Sequence, residues 1–312
     1  MKRVTVAAIF ILVPAFLAAC GSQRQVVTPQ HQALSAAGNT MQQAIATYNR
    51  GCYRAALKEF YRAHELYTLN DNLKGIAMCM NNMGNIYRKM NAHTDAIAFF
   101  DKAFELNQQI SNTSGALQAL ANKAAVVIAD NRLEEAGAML DKAVAMLPPK
   151  APIPVPILNN RGILYAKQGK TDAAEAILHT ALSQTAPDDL ALKATVNASL
   201  GNLMAETGRH AEALAFFTAA YEADKQQGAN RNMAEDLSSM ASACMAIGTD
   251  RKAVEYLERS INIFALTGDV VRAHKEYERL VSLAETIRYD ISITSHFVKK
   301  WLKGDMIRTY CR

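Results

Sequence analysis

Side chains able to do chemistry are spread along this 312-residue chain, and few of them fall at the spacings that chemistry requires. His64-Glu65 opens like HExxH, in which two histidines one helical turn apart hold zinc and the glutamate activates water. The run continues Leu66, Tyr67, Thr68, so the second ligand is missing. His31, His93, His179, His210, His274 and His296 share no ligand spacing, and no GxSxG, GxxxxGK[ST] or GxGxxG motif supplies a nucleophile elbow or a phosphate cradle. The expectation is a chain with no enzymatic activity, no metal and no cofactor.

What does recur is a polar side chain, at Gln42, Asn82, Asn122, Asn160, Ser199 and Ser239, with Asn81, Asn85, Asn159 and Asn202 beside it. A side-chain amide carries both the donor and the acceptor that an extended peptide backbone requires. The same groups can instead bond neighbouring helices, and the sequence leaves both roles open. Arg88, Lys89, Arg161 and Lys167 stand close by and would favour an acidic or carboxylate-ended ligand, although isolated helix cations commonly serve solubility alone. The candidate partner-binding set is therefore Asn82, Asn85, Asn122, Asn160, Asn202, Arg88, Lys89 and Lys167.

These positions are placed by a repeat. Ala56, Ala96, Ala136, Ala174, Ala213 and Ala253 follow one another at 40, 40, 38, 39 and 40 residues. Four residues after each comes Phe60, Phe100, Leu140, Leu178, Phe217 or Leu257, and seven after comes Ala63, Ala103, Ala143, Ala181, Ala220 or Ser260. Offsets of four and seven share one helical face, so small residues let two helices approach closely while the large one fills the space between. Twelve residues before each alanine the side chain is again small, at Ala44, Gly84, Ala124, Gly162, Gly201 and Ala241. Five before it stands Gly51, Asn91, Asn131, Gly169, Gly208 or Gly248, residues that accept the left-handed backbone ending a helix. Each unit reads as helix, tight turn, helix.

This pattern, with Gly84-Tyr87, Gly162-Tyr165 and Pro148 closing the third unit, resembles the tetratricopeptide repeat over about residues 37–268. The period is about 40 rather than 34, similar to the longer repeats of kinesin light chains and bacterial peptide-sensing regulators, and the extra turns are expected mostly on the second helix. The resemblance implies an all-α solenoid of helix-turn-helix units whose first helices line a concave face that binds a protein or peptide. In peptide-binding members an Asn in the recurring polar column bonds the ligand main chain.

The chain divides into units 1–3 over 33–147, a joint at 148–156, units 4–6 over 157–268, a degenerate capping pair over 269–303 and a tail at 304–312. Five of the eight prolines lie between Pro148 and Pro156, where no helix persists, though Pro156 can open the next helix. Phe297 falls in the Phe/Leu column, and with Trp301 it is expected to seal the last layer, the alternative being a basic surface for lipid phosphates or an acidic partner. The tail from Met306 onward is expected to fray.

Lys2, Arg3 and the apolar run from Val4 to Leu17 form a secretory signal over 1–19, too short to span a bilayer. Leu17-Ala18-Ala19-Cys20 resembles the lipobox of bacterial lipoproteins, which implies acylation of Cys20, cleavage before it, and a tether over 20–32. Gly21 after the cysteine, with no retention Asp, implies the Gram-negative outer membrane and a periplasm-facing protein, or the cell membrane elsewhere. Cys52, Cys79, Cys244 and Cys311 show no CxxC and read best as small buried hydrophobes. The formal charge of +5, or +3 without Lys2 and Arg3, is too weak and dispersed for nucleic acid.

The expected function is a membrane-anchored adaptor that binds a protein or peptide through the concave face. Similar lipoproteins act as pilotins, as scaffolds for cell-wall enzymes or in outer-membrane assembly. A receptor for short secreted peptides is the alternative, and a subunit of a cell-wall hydrolase lacks the motif it would need. Cys20→Ser should leave an uncleaved or soluble protein without palmitate label, because acyl chains on this residue are the anchor. Full labelling of the variant after membrane fractionation would refute the assignment.

Overall fold

A computed structural model describes residues 29–303 and 310–311; Cys20 and the signal segment lie outside the described residues. Among the described residues there are fourteen helices and no strand. They pair as α1 (Pro29–Asn49) with α2 (Tyr53–Leu69), α3 (Leu73–Lys89) with α4 (His93–Gln109), and α5 (Thr113–Ala129) with α6 (Leu133–Ala145). After the joint come α7 (Val155–Lys167) with α8 (Thr171–Gln184), α9 (Leu190–Glu206) with α10 (His210–Gln227), and α11 (Asn230–Ala246) with α12 (Asp250–Leu266). The last pair is α13 (Val270–Ile287) and α14 (Ser292–Leu302).

The small and large columns are the core. All six column alanines from Ala56 to Ala253 are wholly buried, as are Ala63, Ala103, Ala143, Ala181, Ala220 and Ser260, and the Phe/Leu column is at most 3% exposed. The approach is tight enough that a methyl group added at Gly84 would sit 2.6 Å from the Phe100 ring, and one at Gly201 equally close to Phe217. The turn residue within each unit has positive φ, from 59° at Asn131 to 83° at Gly51. The turns between units use the same left-handed backbone at Asp71, Ser111, Gly228 and Gly268, a second punctuation that the alanine alignment does not expose. Asn72, Asn112, Asp189 and Asp269 then cap the first helix of their units by accepting a backbone N–H.

Several expectations change. The extra length is shared between both helices of a unit, since α3 and α4 each run 17 residues. The register of α14 is offset by one: Val298 is buried at 1% exposure, while Phe297 is exposed and stacks on Trp301. An 11-residue helix meeting the preceding pair at the end of an array is not bound to the angle that repeating units impose. Helix α1 begins at Pro29, inside the segment read as tether. Across the joint, α7 packs on both sides: Ile157 and Leu164 join the core of unit 3, while Val155 and Leu158 join that of units 4 and 5.

The superhelix curls until its two ends meet. Cys52, in the first turn, is disulfide-bonded to Cys311, with Cα atoms 5.2 Å apart, so these two cysteines are not the free buried hydrophobes expected, whereas Cys79 and Cys244 are. Tyr310 beside it takes a hydrogen bond from Asn230, and this part of the tail is held rather than frayed. Gly51 lies against Thr267 and Arg231, where an added Cβ would come within 3.0 Å of both. The Arg231 guanidinium sits over the Tyr53 ring, 4.3 Å from its centroid, and pairs with buried Asp269. From Arg272 and Lys89 the two oxygens of Glu235 accept bonds, which ties α3 to α11 and α13.

Replacing Cys311 by Ser opens a cross-link between residues 259 apart and should destabilise the oxidised protein by about 2–4 kcal/mol, chiefly through the unfolded chain. In calorimetric melts the reduced wild type should coincide with the variant. Identical melts for the variant and oxidised wild type would show that the bond does not hold the closure.

Candidate functional site

Because the array closes, its concave face becomes a lumen of about 570 Å³. The first helix of every unit contributes: Tyr48 and Asn49 from α1, Arg88 and Lys89 from α3, Asn122 from α5, Asn159, Asn160 and Lys167 from α7, Ser199 and Asn202 from α9, and Glu235 and Asp236 from α11. Six of the eight candidate residues therefore meet at one site, namely Asn122, Asn160, Asn202, Arg88, Lys89 and Lys167. Asn82 and Asn85 are not in its lining.

The amides divide their labour. Asn160 is buried and donates to the Ala121 carbonyl on α5 at 2.7 Å, and Asn122 donates to Asn81 Oδ1 on α3 at 3.0 Å. Asn82 donates to Met78 of its own helix. The NH₂ groups of Asn122 and Asn160 thus join neighbouring units. Asn202 is exposed to it. Asn159 is 3% exposed, and its Oδ1 has no partner among the described residues. A buried acceptor left without a donor costs about 1–3 kcal/mol, so its presence in a wall of a cavity points to a ligand.

The basic residues divide as well. Lys89 Nζ donates at 3.0 Å to both Asn232 Oδ1 and Glu235, and Arg161 pairs with Asp141 at 2.6 Å, so these two charges are already answered. Arg88, with its Nε buried and unpartnered, and exposed Lys167 keep theirs for the lumen. Burial alone would raise the Glu235 carboxyl, but Lys89 and Arg272 hold it down at about 2.

The sequence reading missed an acidic pair. Asp224, at the end of α10, and Asp236, in α11, are 3% and 5% exposed and both line the lumen. Asp224 Oδ1 accepts from Gln227 Nε2 at 2.6 Å, whereas Asp236 Oδ2 has no partner among the described residues. Burial raises both carboxyls above the ordinary range, and the Asp224 charge raises Asp236 further, so the pair holds a proton. A signal for this was present: Asp236 occupies the column seventeen residues before the unit alanine, where units 2–5 place the buried apolar residues Cys79, Ala119, Ile157 and Val196 and the first unit an exposed Asn39.

The held proton sets a pH dependence. Folded pKa values raised above the unfolded ones give stability that is fully present below the usual carboxylate pKa of about 4 and is lost as pH rises, at up to about 1.4 kcal/mol per pH unit for each proton. Urea midpoints should therefore decline from about pH 5 upward, and Asp236→Asn, which cannot ionise, should flatten the decline. A variant whose pH profile parallels wild type would remove the shared proton from the account.

No curated protein matches the chain. Among solved structures, the Rap conjugation gene regulator of plasmid pLS20 in complex with the Phr* peptide is 16% identical, with a TM-score of 0.59 over 91% of this chain and 77% of that one. YrrB, a TPR protein with an unusual peptide-binding site, is 24% identical over 65% of this chain and 91% of its own, with a TM-score of 0.34. PilW, a type IV pilus biogenesis factor, is 22% identical over 71% and 90%, with a TM-score of 0.44. The tetratricopeptide repeat family model matches residues 36–109, 76–148 and 154–226, more than half of the chain and both sides of the proline joint. With its paired helices, buried small-residue columns and left-handed turns, the chain belongs to the tetratricopeptide repeat family.

Proposed function

We propose that this protein is a lipid-anchored adaptor that captures a short extended peptide segment, such as the end or a loop of an envelope protein, inside the lumen of its closed repeat array. The observation that carries this reading is the lumen itself. At about 570 Å³ it falls within the range of about 300–1,000 Å³ typical of ligand pockets, which suits a few residues of extended chain rather than a folded domain. Its wall supplies an unpartnered acceptor at Asn159 and an exposed amide at Asn202 for backbone groups, and Arg88 for a carbonyl or carboxylate. Attachment through Cys20 rests on the lipobox. The Cys52–Cys311 bond supports an oxidising compartment, where disulfides persist.

The second reading, a receptor for free secreted peptides, uses the same lumen and differs only in whether the segment belongs to a larger protein. It is favoured by the enclosure, which restricts the entry of a loop more than that of a free peptide.

Site-specific photocrosslinking separates these readings. A benzophenone side chain at Asn202, exposed in the lumen, should capture the ligand in cells, while one at Leu69, 83% exposed and away from the lumen lining, should not. An adduct heavier than about 5 kDa that maps to one segment of a protein marks the adaptor, since four or five linked residues amount to far less. A light adduct marks the receptor. Adducts at Leu69 with none at Asn202 would place partner binding outside the lumen and end both readings.

A further inference from the structure

Two buried acceptors on the lumen wall, Asp236 Oδ2 and Asn159 Oδ1, have no partner among the described residues. Asp236 stands in a column that units 2–5 fill with buried apolar side chains, and its Oδ2 has no partner among the described residues. Asp224 lies with it on the same wall, and Asn159 Oδ1, on α7, is a second unpartnered acceptor in the same lining. A buried carboxylate pair is expensive to keep, and an apolar residue at 236 would pack as Val196 and Ile157 do in their units. Neutral backbone N–H groups would satisfy one acceptor each and leave the charge unanswered. An ammonium brings three donors and a guanidinium five, each with the positive charge that two carboxylates require.

We propose that Asp224 and Asp236 form a subsite for the alkylammonium or guanidinium group of a peptide, that is, for a Lys or Arg side chain of the segment bound in the lumen. This assignment rests on the peptide-binding reading and adds the chemistry of one ligand residue. The cations facing the pair do not fill the role. Lys89 of α3 is held by Glu235 and Asn232, and Arg231 of α11 by Asp269. Arg88 and Lys167, elsewhere on the lining, suit a carbonyl or carboxylate of the same peptide, which makes the ligand bipolar rather than acidic throughout.

Binding has a proton balance. The free pair keeps one proton between its carboxyls because burial and mutual repulsion oppose double ionisation. An arriving cation stabilises the doubly ionised pair, and the proton leaves to solvent. Affinity for a cationic peptide therefore rises with pH as long as the peptide itself stays charged, and Glu235, pinned as carboxylate by Lys89 and Arg272, does not contribute to the change.

The test uses the full chain and a defined library of N-acetylated, C-amidated tetrapeptides, with bound members separated by gel filtration and identified by mass spectrometry. Lys and Arg members should be retained about ten-fold or more over their norleucine counterparts, the size of one charge-assisted bond. Asp224→Asn and Asp236→Asn, each checked by thermal melt, should lose this preference while still retaining neutral peptides, and the pH dependence of a retained Lys peptide should flatten in Asp236→Asn. Equal retention of cationic and neutral members by wild type, or a preference that survives in whichever variant folds, overturns the subsite and leaves peptide binding standing. Retention of no peptide at all overturns the peptide-binding reading itself, and the subsite with it.

Discussion

How closely two helices can approach decides almost everything else in this molecule. At Gly84, Gly162 and Gly201 there is no room for even a methyl group beside Phe100, Leu178 and Phe217, and at Ala44, Ala124 and Ala241 there is room for one methyl and no more. Close packing of this kind fixes the angle between successive helices, because interiors are dense and side chains cannot absorb a change of position. Repeated over six units, a fixed angle becomes a fixed curvature. The left-handed turns keep most chain reversals short, and across the longer proline joint α7 packs on the cores of both sides.

That curvature brings residues far apart in sequence into one seam. Glu235 bridges Lys89 of the second unit and Arg272 of the capping pair, Arg231 is held between the Tyr53 ring and Asp269, and the Cys52–Cys311 bond fastens the tail to the first turn. Each of these charges is partly desolvated and answered, which is the condition under which an ion pair is tolerated in a structure rather than costly to it. The seam turns an open groove into a lumen that gathers polar groups from all six units around one space.

Within the lumen the same residue types do two kinds of work. Asn122 and Asn160 spend donors on neighbouring helices, which locks the units in register. Asn159 and Asp236 have no such internal partner. The difference between a structural amide and a recognition group is therefore a matter of which atom is already bonded, and not of which column a residue occupies.

The amino-acid sequence alone determined the helix pairs, their order, the small and large core columns and the turns within units, because all of these follow from spacings of four, seven and about forty residues that a local helical geometry can read. It also marked most of the polar lining, since one helical face recurs in every unit. Tertiary structure decided the rest. The joining of Cys52 to Cys311, the pairing of Lys89 with Glu235 and the meeting of Asp224 with Asp236 in one cavity depend on the summed rotation of six units, and the offset of Val298 and Phe297 depends on an end helix with no following unit to set its angle. A repeat period specifies each step between neighbours, but small rotations accumulate along the array, and only their sum tells whether the ends meet.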